Sequence, residues 1–212
     1  MKINYLLFIA GLFCAMAFFA CKKANPTTVT ISPANNPTEF NVNLWGSSDY
    51  SNGTSIEEPL CAWTKDGVPV TMRELLQFNL GQIPPRAAIL KAHLYLYSDT
   101  IPLNGNLTDA NFGANNAIVV QQIAASWNPQ TVNWFNQPNG LAENSVTVPS
   151  TTQPFLNLDI DVTNLMKSMV QSGANYGFKL MLQNETTYTS RIFCSSYYSD
   201  ATRHPKLVVT YE

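Results

Sequence analysis

Charge is what this sequence has least of. Asp, Glu, Lys and Arg make up only 12% of its 212 residues, about half the roughly 25% usual in soluble domains. Twelve basic residues face fourteen acidic ones, and beyond Lys22-Lys23 no cationic run stands along the chain. Nucleic acid is thereby excluded as a partner, because neutralising phosphates takes grouped cations. Histidine is scarce too, with His93 and His204 the only two. That leaves little room for a Ser-His-Asp triad, and Gly-x-Ser-x-Gly, His-Glu-x-x-His and phosphate-loop motifs are absent. Four scattered cysteines and two histidines make no zinc site, and no cofactor motif is present. Apolar residues, by contrast, are plentiful at 45%. That excludes a disordered chain and supplies a sizeable core. Asn, Thr, Ser and Gln fill the place of the missing charges, as in exported β-rich proteins.

The N-terminus gives an address. Met1-Lys2 precedes a stretch from Ile3 to Phe19 that is apolar apart from Asn4 and Tyr5. A short apolar run with a basic start and small residues at its end reads as a signal peptide over 1–20. A spanning helix needs about 20 apolar residues. Phe18-Phe19-Ala20-Cys21 resembles a bacterial lipobox, in which the Cys is lipidated and becomes the new N-terminus. The alternative is a plain secretory signal with Cys21 incidental; the alignment of the three signal regions favours lipidation. The lipid on Cys21 is then the protein's only membrane contact. Lys22 in place of Asp favours the outer membrane of a Gram-negative envelope, with the periplasmic or surface face left open. Residues 21–38 hold Pro26, Pro33 and Pro37 among Thr and Asn, and read as an extended tether without a core face. The folded domain is expected over 39–212. Cys14 leaves with the signal peptide, so Cys61 and Cys194 remain. They either close a disulfide in an oxidising envelope or serve as two small core residues.

Turn signals recur every ten residues or so, with apolar residues alternating between them. That spacing predicts an all-β, antiparallel sandwich. Expected strands are 40–45, 60–64, 73–80, 89–98, 118–124, 155–161, 178–183, 191–197 and 206–211. Asn52-Gly53, Asp66-Gly67, Asn104-Gly105 and Asn139-Gly140 are the turn pairs. One segment changes period: Val162, Leu165, Met166, Met169 and Val170 recur at helical spacing after an Asp161 or Thr163 cap. They predict one short helix ending near Gly173.

Period-two alternation sorts the faces. Leu76, Phe78 and Leu80 point inward, against Arg73, Leu75, Gln77 and Asn79. Ala92, Leu94 and Leu96 point inward, against His93, Tyr95 and Tyr97. Lys179, Met181 and Gln183 form the outer face of their strand. Two readings stand for the outward residues. One is an ordinary solvated sheet face. The other is a ligand platform on which aromatic rings stack on sugars and cations pair with carboxylates. On the second reading the ligand-binding candidates are Arg73, Gln77, His93, Tyr95, Tyr97, Lys179 and Arg191.

Several blocks resemble one family. Arg73, Leu75, Leu76 and Phe78, then Ile83-Pro84, then Ala92, Leu94, Leu96 and Tyr97, resemble the signature of the DNRLRE domain. That domain is related to carbohydrate-binding module family 96. Ser126-Trp127 through Trp134 to Pro138 resembles the family's Trp-containing loop, departing from it at Pro129, Gln130 and Asn133. Asp161-Val162-Thr163, Asn175-Tyr176-Gly177-Phe178 and the closing Arg203 to Tyr211 follow in order, with His204 as an insertion. The resemblance implies a jelly-roll sandwich that binds polysaccharide, uronate-containing polymers included. It also allows Arg73, Trp127 and Trp134 a structural role, pinning a loop and filling the sandwich end.

Catalytic pairings are few. Asp159 and Asp161 share a strand face at a spacing glycoside hydrolysis could use, but helix capping and surface exposure account for them better. Glu57-Glu58 reads as a solvated loop pair. The 104–116 loop holds one acid, Asp109, too few for calcium. Asp99-Thr100-Ile101 resembles an envelope O-glycosylation sequon, with Thr100 the acceptor. The sequence therefore points to a non-catalytic, lipid-anchored polysaccharide binder. The alternative is a structural envelope lipoprotein with protein partners.

Overall fold

A computed structural model describes residues 25–32, 40–46 and 48–212. The signal peptide and Cys21 lie outside them. Two antiparallel sheets face each other, as the alternation predicts. The smaller has the order β1-β13-β6-β10, built from Thr27–Ile31, Lys206–Tyr211, Ile89–Leu96 and Leu158–Asp161. The larger, of nine strands, runs β7-β12-β4-β5-β11-β8-β9, with β2 on β5 and β3 on β2. Its central members are β4 (Glu57–Lys65), β5 (Val68–Gln77), β11 (Phe178–Leu182) and β12 (Thr189–Cys194). The rest are β2 (Phe40–Trp45), β3 (Ser51–Asn52), β7 (Asn111–Phe112), β8 (Ile118–Gln122) and β9 (Val146–Val148). Leu94, Leu96, Leu207 and Val209 meet Leu60, Leu76, Phe178 and Leu180 in the core between the sheets. Asp66 and Gly67 carry the β4–β5 turn at φ 53° and 78°, the two positive values that a tight two-residue hairpin requires.

The helix α1 spans Thr163–Ser172 and buries Leu165, Met166, Met169 and Val170, the residues its period selects. Val162 at the cap position offers no side-chain bond; Asp161 does that work, its Oδ1 accepting from Thr163 N at 2.9 Å. Those Thr163 donors hold the Asp161 carboxyl below its usual range. The Thr163 hydroxyl in turn accepts from Ala92 N at 2.9 Å, tying the helix to β6. Gly173, left-handed at φ 69°, ends it.

Three expectations need correction, and one open alternative is decided. Within the expected tether, Thr27–Ile31 pairs residue for residue with β13, Thr27 on Tyr211 through Ile31 on Leu207. Ile31 is 2% exposed and belongs to the core, with Val29 packed against it. Thr27 to Ile31 is a run of β-branched residues that starts directly after Pro26, a position where proline lets a strand begin. Second, Glu57 and Glu58 are buried in β4 rather than solvated in a loop. The two readings of Cys61 and Cys194 resolve to core residues, since both are buried free thiols. Cys61 pairs with Ser190 and Cys194 with Glu57, so four residues of ladder, about 13 Å, separate them. A disulfide needs Cα atoms within about 7 Å. Burial pushes both thiols up to about 12. The third correction, Arg191, belongs to the outward faces.

Candidate functional site

Three outward surfaces are built on these sheets, and the expected ligand residues divide unevenly among them. The first lies over β5 and β11 and is covered. Leu44, Leu75, Ile123 and Val132 cluster there, with Trp127 and Trp134 packed on them, so the 127–139 loop lies on the sheet. Arg73 pins it. Its Nε and Nη2 donate to the two Glu185 carboxylate oxygens at 2.6 and 2.8 Å, and its Nη1 to Gln137 Oε1 at 3.3 Å. The guanidinium lies 4.3 Å from the Trp134 ring centre. Lys179, only 5% exposed, donates from Nζ to Pro138 O at 3.1 Å. Burial, with Arg73 nearby, lowers its ammonium to about 8. Gln77 Nε2 donates to Asn175 O at 2.9 Å. These side chains do point outward, but they fasten a loop.

Arg191 does not point outward. It pairs with Leu60 of the core, is 0% exposed, and its Nη1 donates to Asn116 O and Pro149 O at 3.4 and 3.3 Å. Burial lowers its guanidinium to about 10. All six residues of β12 are buried, because both faces are packed: Ile192 clusters with Ala110 and Cys61 on one side, and Phe193 joins the main core on the other. With both faces covered, period two carries no information about direction.

The second surface, the outer face of the four-stranded sheet, holds His93, Tyr95 and Tyr97 together. Tyr95 stands in one row with Asp159 and Lys206, and His93 in the next with Asp161 and Val208. His93 Nδ1 and Asp159 Oδ1 are hydrogen-bonded. The His93 and Tyr95 rings stack at 6.2 Å, and Lys206 Nζ sits 5.1 Å from the Tyr97 ring. Partial burial, then Asp159, push the Tyr95 phenol up. Thr100 is exposed on the bend after β6, its hydroxyl accepting from Arg203 Nη1 at 3.2 Å.

The third surface was not among the sequence candidates. Trp45 and Cys61 both pair with Met72, so β2 and β4 lie on opposite edges of β5. Trp63 pairs with Val70, one row further on. Two strand spacings across and two residues along put the tryptophan backbones about 12 Å apart. Around them runs a trough of two adjoining hollows. One, of about 580 Å³, is walled by Trp45, Trp63, Met72 and the 103–107 segment. The other, of about 340 Å³, shares Trp45, Lys65 and Val70 with it and reaches Ser48 and Tyr50. Tyr50 meets Trp45 edge-on at 5.8 Å; Phe112 and Tyr188 brace Trp63 at 5.6 and 5.1 Å.

The loop wall is held from below. Glu57 accepts from Leu103 N and from Asn104 Nδ2, the latter at 2.7 Å. Gly105, at φ 68°, approaches so closely that a Cβ there would lie 2.9 Å from Ser190 Cβ. Burial pushes the Glu57 carboxyl up to about 7, against the pull of those two donors. The signal in the sequence was the alternation Cys61-Trp63-Lys65 along one hairpin arm. Without knowing that a loop walls that face, nothing marks these residues as a trough. Among the described residues no group of three His, Cys, Asp or Glu side chains stands ready to hold a metal.

No curated protein matches the chain. The family model described as Carbohydrate-binding module family 96 matches residues 48–211, which takes in β3 to β13, the Trp-bearing loop, Trp63 and the 103–107 wall. β1 and Trp45 precede that stretch, though the sheet and the trough both use them. With three quarters of its length matched by that model, the chain belongs to carbohydrate-binding module family 96.

Proposed function

We propose that this protein is a non-catalytic polysaccharide-binding module held at the cell envelope by a lipid on Cys21. Family membership supports carbohydrate binding by the sandwich. The observation that carries the reading to a place is the open trough with Trp45 and Trp63 in its walls. Rings of this kind offer flat apolar area to the C–H faces of sugars, and the amides and hydroxyls beside them offer partners to sugar hydroxyls. The acids considered for hydrolysis are committed elsewhere, Asp159 to His93 and Asp161 to Thr163. A glycan array probed with the fluorescently labelled protein tests the reading; absence of signal on every polysaccharide would sink it.

The anchor rests on the N-terminal sequence. No helix among the described residues is long and apolar enough to cross a membrane. Metabolic labelling with an alkyne fatty acid should mark the wild-type chain and not Cys21→Ser. Labelling of both would remove the anchor from the proposal. Outer-membrane sorting follows from Lys22 and is checked by density-gradient fractionation of the labelled cells. A second reading, a partner-binding envelope lipoprotein, draws on the exposed Ile101 and Phe135. Recovery of one stoichiometric protein partner, with no glycan bound, would favour it.

A further inference from the structure

We propose that the trough binds an extended stretch of neutral polysaccharide and discriminates against uronate polymers, a specificity that rests on the glycan-binding reading. The argument is one of charge and spacing. Among the described residues lining the two hollows, Lys65 and Asp66 are the only charged ones, and they cancel. The Lys65 ammonium already sits 5.3 Å from the Trp45 ring. A uronate polymer carries one carboxylate on every sugar, and holding it takes cations repeated along the path. Of the cations expected at a ligand face, Arg73 is spent on Glu185, Lys179 on Pro138 O, and Arg191 inside the core; Lys91 and Lys206 stand on the four-stranded sheet, outside the lining of the trough.

What the trough does supply is neutral. Trp45 and Trp63 provide apolar rings, while Ser48, Thr64 and Asn104 provide donors and acceptors of the kind sugar hydroxyls use. The two tryptophans stand farther apart than one sugar ring spans, and the hollows join through Trp45, Lys65 and Val70. A chain of several sugars fits that path better than a single terminal one. The walls are set before ligand arrives, because Glu57 holds Leu103 and Asn104, and Phe112 and Tyr188 brace Trp63. Such preorganisation spares the ordering cost of binding. Trp45 ends β2 and lies before the stretch matched by the family model, so half of the aromatic pair comes from outside that stretch.

Affinity electrophoresis of the whole chain tests this, with mixed-linkage β-glucan, galactomannan or laminarin in the neutral gels and alginate or polygalacturonate in the acidic ones. Runs include about 150 mM salt, where unspecific charge attraction is screened. The expected result is retardation in at least one neutral gel and none in the acidic gels. Trp63→Ala and Leu107→Glu should each weaken that retardation about tenfold, as loss of a central contact does. Leu107 is 66% exposed, so its variant folds even if Trp63→Ala, which leaves Phe112 and Tyr188 unsupported, does not. Stronger retardation in the acidic gels overturns the neutral specificity while leaving glycan binding intact. Neutral retardation that survives Leu107→Glu but is lost in Tyr95→Ala overturns the site, moving it to the four-stranded sheet. No retardation in any gel overturns glycan binding itself, and the inference with it.

Discussion

Replacing Glu58 by Gln should change how the protein's stability responds to pH. Glu58 sits in β4 opposite Phe193, 1% exposed, and neither carboxylate oxygen has a hydrogen-bond partner among the described residues. Burial pushes its carboxyl from 4.5 up to about 8. Between those values the folded chain keeps a proton that the unfolded chain has released. Stability is therefore full below the unfolded value and falls as pH rises, by about 1.4 kcal/mol per pH unit, until the folded value is passed. From pH 5 to pH 8 this one group removes on the order of 4 kcal/mol, an upper bound because relaxation and entering water soften burial. Glu57, raised to about 7, adds a loss of the same sign that ends sooner. Gln carries no titrating proton, so the variant keeps only the Glu57 part. At pH 5 it is less stable than wild type by about 1–3 kcal/mol, because its amide brings donors where no acceptor waits. At pH 8 the order reverses. Urea unfolding followed by tryptophan fluorescence at half-unit intervals from pH 5 to 8 should show the two stability curves crossing. Parallel curves, within about 0.5 kcal/mol throughout, would show that Glu58 titrates alike in both states and refute the reasoning.

Other perturbations separate the remaining assignments. Gly105→Ala forces a side chain against Ser190 at a left-handed φ. It should lower stability by about 1–2 kcal/mol and weaken retardation in neutral gels by lifting the trough wall; unchanged retardation would detach the loop from the site. Arg73→Lys gives up the two-pronged bond to Glu185 and the face of Trp134. Faster proteolysis within 127–139 is expected, with a stability loss of about 1–2 kcal/mol, and an undisturbed loop would contradict the pinning role. Ile31→Ala should destabilise by about 2–5 kcal/mol in thermal or urea unfolding, whereas a true tether residue would register nothing. Cys61 and Cys194 should both stay silent to a thiol reagent in the native protein and both react once it is unfolded. A disulfide would leave them silent in either state.

The sheet pattern was legible wherever a strand had one covered and one open face. β6 is the clearest case: Ala92, Leu94 and Leu96 lie in the core and His93, Tyr95 and Tyr97 face outward, as alternation requires. The helix was legible for a related reason, since its buried stripe and its Gly173 stop are local features. Legibility failed where a strand was covered on both sides. β4 and β12 lie under the 98–112 segment, so Glu57, Glu58 and Arg191 carried no sign of their burial. β1 failed for the opposite reason: its partner, β13, stands some 180 positions away at the far end of the chain, and nothing local records such a pairing. The trough combines both difficulties. Its floor is ordinary alternation along β4 and β5, but its wall comes from a loop whose anchor is a carboxylate that reads as solvated.

The scarcity of charge has a structural consequence for ligand choice. In a chain with few ionised groups, each one committed to architecture leaves the surface visibly more neutral. Arg73 and Lys179 hold one loop, Glu57 holds another, and Arg191 and Glu58 are enclosed. The loops they fix do two different things. The 127–139 loop lies flat on Leu75 and closes its part of the sheet, whereas the 103–107 segment stands beside Trp63 and Trp45 and makes a wall. A face covered by a loop is lost to ligands; a face bordered by one becomes concave, and concavity with aromatic walls is what a sugar chain can use. The same few charges that build the walls are thereby absent from the path between them. Adding a cation to that path should then change what the protein binds without changing its fold. Leu107→Arg, at an exposed wall position, is expected to gain retardation by alginate that about 150 mM salt weakens, since one surface cation acts through a screened field. If Leu107→Arg gained no uronate affinity even at low salt, the charge of the path would not be what sets the ligand.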